Sequence, residues 1–68
     1  MSEADVLLAI PEHVWAHAQQ LYRLRRLPVA IVAVPRGYEV CFESDVMHRL
    51  AIVAIVETPE QRLEREAA

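Results

Sequence analysis

Imidazole, thiol, carboxylate and guanidinium groups are the side chains of this sequence that could do chemistry. His13 and His17 stand four residues apart. On a helix that spacing stacks two imidazoles one turn apart, where they could share a metal ion. Glu12 precedes them, but the order is Glu-His-x-x-x-His rather than the His-Glu-x-x-His of zinc proteases. A zinc site needs three or four convergent ligands, so Cys41 or His48 would have to supply more. The metal reading therefore names His13, His17 and Cys41. The competing reading leaves His17 packed at the core margin and His13 on the surface.

Cys41 is the only cysteine and lies between Glu39 and Glu43. Neighbouring carboxylates raise a thiol's pKa and make it a poorer nucleophile. Small buried cysteines are usually packing residues. A catalytic pair of Cys41 with His17 or His48 is not expected, and no other reacting group is evidently activated. The chain is read as a non-enzyme with no implied cofactor. Glu39, Glu43 and Glu57 could form an acidic patch for a basic partner, although ordinary solvated strand charge is the simpler account.

Trp15 and Tyr22 are seven residues apart and share a helix flank. Arg23 and Arg26 lie close by. Tryptophan, tyrosine and arginine are enriched where proteins bind one another. Trp15, Tyr22, Arg23 and Arg26 are therefore the candidate partner-binding residues. The alternative is that the two rings finish the core and that the arginines complement the helix dipole.

The elements that position these groups follow from pattern and punctuation. Residues Met1–Ile10 could be a short strand or a helical turn, because a short apolar run does not report its period. Pro11 opens a helix and Glu12 suits its positive end. Val14, His17, Ala18, Leu21 and Leu24 form the expected core stripe. Pro28 ends that helix. Val29–Val34 is short and β-branched, hence a strand. Pro35-Arg36-Gly37 reads as a turn. Tyr38–Glu43 alternates, with Tyr38, Val40 and Phe42 on one side and Glu39, Cys41 and Glu43 on the other. Ser44-Asp45 marks a second turn, and His48–Val56 reads as a third strand, with a helix from Ser44 as the rival. Thr58-Pro59-Glu60-Gln61 has the form of a capping box, opening a short charged helix over Pro59–Glu66.

The expected fold is α+β in the order α-β-β-β-α. It has a three-stranded antiparallel meander, one long amphipathic helix and a short C-terminal helix. Tyr38–Glu43 is expected in the centre. That order resembles double-stranded RNA-binding domains. Their last helix opens on a basic cluster, however, and here it reads Pro59-Glu60-Gln61. The formal charge of −3 also argues against a nucleic-acid partner.

At 68 residues the chain is one domain with a marginal core. Its single cysteine rules out an internal disulfide and suits a reducing compartment. With no signal-peptide pattern and no apolar run long enough to span a bilayer, the expectation is a cytoplasmic protein without a membrane partner.

Hydrophobic residues make up 54% of the chain, and the first and third strands are apolar on both faces. One helix covers one face of such a sheet. The C-terminal helix is too polar to cover the other. The expected remedy is a homodimer, formed through an apolar sheet edge or face. The functional expectation is a small protein-interaction module, an adaptor or inhibitor of the kind that mobile elements such as phages encode. The alternative is a metal- or ligand-binding regulator using the histidine pair.

Overall fold

The computed structural model describes residues 9–68, so the strand-or-helix question for residues 1–8 lies outside the described residues. Helix α1 spans Glu12–Arg25. Strands β1 (Val29–Val34), β2 (Gly37–Phe42) and β3 (Ile52–Val56) form an antiparallel sheet, and helix α2 (Pro59–Ala67) closes the chain. The order α-β-β-β-α and the α+β class are as the sequence predicts.

Pro11 sits at the N-cap of α1, one residue earlier than its expected place. Its carbonyl oxygen accepts from the N–H of Val14 at 3.0 Å. The buried stripe is Val14 and Ala18, continued by half-buried Leu21 and Tyr22. It is turned slightly from the expected one. His17 is exposed, and Leu24 is 74% exposed. The helix stops one residue before Arg26, which takes a left-handed φ of 55° while its N–H donates to the Tyr22 carbonyl at 2.7 Å. Asparagine and glycine are the usual residues there.

The strand order is β2-β1-β3, so Val29–Val34 holds the centre and Tyr38–Glu43 does not. The physical reason is burial. A strand that is apolar on both faces belongs where both faces are covered. Val29, Ala30 and Ile31 are fully buried. The alternating strand β2, with one polar side, can tolerate the edge. Val34 pairs with Gly37 across the tight Pro35-Arg36 turn, and Gly37 takes a φ of 137°.

On α1's side, Val29 and Ile31 join Ile10, Val14 and Ala18 in the core, with Tyr38, Val40 and Phe42 packed beside them. On the opposite side Ala30 is buried between Cys41 and Ile55, its partners across the two ladders. Segment 43–51 carries the chain from the β2 edge to the β3 edge. It is built from two 3-10 turns, Glu43–Asp45 and Arg49–Ala51.

The third strand therefore starts at Ile52 and not at His48. Residues Arg49–Ala51 coil, and Leu50 is 104% exposed. A β-bulge also breaks the expected alternation. Ile31 pairs with Ala54 but Val32 pairs with Ile52, leaving Val53 as the extra residue. Val53 and Ala54 consequently both reach the core under α1.

Candidate functional site

The helix–sheet sandwich decides which candidate residues can meet. His13 and His17 are exposed on α1. Cys41 alternates with Val40 and Phe42, which pack under α1, so its thiol is on the far side of the sheet. The sheet thus separates the thiol from the imidazoles, and the three-residue metal set is not assembled. His17 is exposed, so it does not pack at the core margin either. Among the described residues no three His, Cys, Asp or Glu side chains converge as a metal site.

Cys41 is half-buried and free. Burial pushes its thiol above the ordinary range, and the carboxylates of Asp45 and Glu39 add to the effect. A thiol held neutral in this way is a poor nucleophile. The carboxylates on that face are partly neutralised. Glu43 forms an ion pair with Arg49. Glu57, almost wholly buried, accepts from Arg65 Nε at 3.1 Å and from Arg65 Nη2 at 2.7 Å. The hydrogen bond to Glu57, opposed by some desolvation, holds the Arg65 guanidinium more firmly protonated than usual. Glu39 remains exposed. Of the three carboxylates expected to form an acidic patch, Glu39 alone is left exposed outside an ion pair.

The four candidate partner-binding residues divide by environment. The Tyr22 hydroxyl donates to Gln61 Oε1 at 3.1 Å, and Gln61 Nε2 donates to the Arg26 carbonyl oxygen at 2.6 Å. The Arg26 guanidinium lies 5.7 Å from the Tyr22 ring centroid, within cation–π range. Tyr22 and Arg26 therefore form a latch between the end of α1 and the start of α2. The capping box is present as the sequence predicts, with the Thr58 N–H on Gln61 Oε1 at 3.0 Å and the Gln61 N–H on Thr58 Oγ1 at 3.1 Å. Gln61 serves cap and latch together, a second role that its position in the motif does not disclose. Arg23 is exposed.

Trp15 is placed differently. It is half-buried at the core edge and lines a groove of about 500 Å³ with Val53, Ala54, Ile55, Arg62 and Arg65. Ala54 and Ile55 are consecutive strand residues, whose side chains point to opposite faces. A groove that touches both runs along the strand edge, not across one face. The expected strand order also leaves the third strand at an edge; what the sequence does not disclose is that Trp15 lies beside it.

A second hollow, of about 530 Å³, lies between Leu27, Glu43, Arg49, Gln61 and Arg65. Glu43, Arg49 and Arg65 there are engaged in the pairs described above, and Glu64 also lines the hollow. No described helix is long and apolar enough to cross a membrane. Comparison with family models, curated proteins and solved structures finds no match to this chain.

Proposed function

We propose that this protein is a small non-enzymatic interaction module, an adaptor or inhibitor that works as a homodimer. What supports the reading is apolar surface left in water among the described residues.

Every residue of β3 is only half-buried, and Met47 and Leu50 in the preceding segment are 89% and 104% exposed. Leaving large apolar side chains in water forfeits about 1.5–3 kcal/mol each. Association recovers that energy without a larger chain. No assembled constellation of nucleophile, base and orienting group competes with this reading among the described residues.

Sedimentation equilibrium tests the dimer and native mass spectrometry of the protein in its own cell extract tests the partner. The expected masses are twice the 7.8 kDa of one copy, alone and with one further protein bound. A single species at the mass of one copy, at micromolar concentration, would overturn the proposal.

A further inference from the structure

We infer that His13 and His17 together hold one divalent metal ion of the Ni2+ or Cu2+ class on the exposed flank of α1. The site consists of two imidazoles without Cys41, so it differs from the three-residue set that the sheet divides. Helix α1 is continuous from Glu12 to Arg25. Side chains four apart on a helix stand one above the other, with Cβ atoms about 5–6 Å apart. At that spacing each imidazole can place one nitrogen about 2.0–2.2 Å from a shared ion. The run His13-Val14-Trp15-Ala16-His17 keeps the histidine spacing of helical zinc sites. It lacks the glutamate that serves there as base, and Val14, 7% exposed, takes that place. What remains is a chelate fit to hold an ion and not to hydrolyse with it.

Both imidazoles are exposed, and among the described residues neither is engaged in a side-chain hydrogen bond or an ion pair. Val14 and Ala18, next to the two histidines in sequence, are buried in the core and fix the backbone that carries them. An ion therefore meets two imidazoles already spaced, and the second bond costs little further ordering. Glu12 adjoins the pair, and the first guanidinium on α1 is that of Arg23, six residues beyond His17. No arginine on that part of the helix repels a cation.

With two protein ligands, the other coordination positions fall to water. That suits Ni2+ and Cu2+, which bind imidazole strongly and accept oxygen donors in the remaining positions. Structural zinc takes a closed set of four protein ligands. Mg2+ and Ca2+ take carboxylate and carbonyl oxygen instead.

Calorimetric titration of the full chain with Ni2+, alongside NMR of the histidine ring protons, tests the site. The expected result is a saturable ion that shifts or broadens the rings of His13 and His17. The ring of His48, exposed on segment 43–51, stays unchanged. His13→Ala or His17→Ala should weaken binding at least about tenfold, because one ligand is left to bind alone. Both positions are exposed, so these variants leave the core intact, and circular dichroism checks their fold. Adding Gln19→His to the His17→Ala chain restores the histidine count but puts the second ring on the other side of the helix. Affinity should not return. Recovery in that chain, undiminished binding without His13 or His17, or loss of binding in Cys41→Ala overturns the inference. So does the absence of saturable binding up to millimolar Ni2+.

Discussion

Gln61 shows how one side chain can join two helices in a chain with few polar contacts. Its carboxamide oxygen accepts from Thr58 and Tyr22 while its nitrogen donates to the Arg26 carbonyl. Gln61→Ala removes all three bonds, and water can replace only part of them at this half-buried position. The expected cost is about 1–2 kcal/mol by analogy with cap removal, a fall in Tm of roughly 4–16 °C for a domain of this size. Tyr22→Phe should cost less, since it leaves the cap and the Arg26 bond in place. Urea unfolding of both variants checks the ranking, and equal losses would refute the latch. At the other side of the sheet, the raised Cys41 pKa has a pH consequence. A group whose pKa is higher folded than unfolded favours the fold while the unfolded thiol is still protonated. That contribution is lost as pH climbs from about 8.5 through the higher folded value. Stability should therefore fall on the alkaline side, and Cys41→Ala should make that limb shallower. Unfolding curves measured between neutral and alkaline pH decide this; an unchanged limb in the variant would show that Cys41 plays no part. The capping box was legible from Thr58 and Gln61 alone because it depends on residues three apart. The Tyr22–Gln61 bond spans 39 positions and was not.

Among the elements, local signals were read well and long-range order was not. Helix α1, the β1–β2 hairpin and the helix after Thr58 each follow from punctuation by proline, glycine or a cap. The centre of the sheet depends on whether β3 adds to the free edge of β1 or to that of β2, and no local residue encodes that choice. Composition of the whole strand does: Val29–Val34 is apolar on both faces, which suits the centre better than the alternating Tyr38–Glu43. The late start of β3 has a similar origin. Leu50 and Ala51 have the apolar character of a strand, yet they lie in the segment that must cross between edges. The hairpin offers a clean test of backbone against packing. A Cβ added at Gly37 would meet nothing within 4 Å, but the φ of 137° is one that side-chain residues rarely adopt. Gly37→Ala should thus destabilise by about 1–3 kcal/mol through backbone strain alone. If the unfolding midpoint of that variant matches the parent, the hairpin turn is not held in this geometry in solution.

For the molecule as a whole, the position of β1 relieves only part of the burial problem. It encloses Val29, Ala30 and Ile31, but β3 inherits an edge that is apolar on every residue. The single long helix cannot remedy this, since it already lies across the other face of the sheet. Helix α2 is anchored by Gln61 and Arg65 rather than by apolar contact, and its Leu63 is 68% exposed. Stability should therefore depend on how many copies meet. When a dimer unfolds to two separate chains, dilution favours the unfolded side by mass action. Each tenfold dilution changes the balance by about 1.4 kcal/mol per dimer. Spread over the unfolding entropy of two chains of this length, that lowers Tm by roughly 3–6 °C per tenfold dilution. Calorimetric or circular-dichroism melts over two decades of concentration measure the slope directly. A Tm independent of concentration, in protein that refolds reversibly, would mean that a single copy already encloses enough of its valine and isoleucine to stand alone.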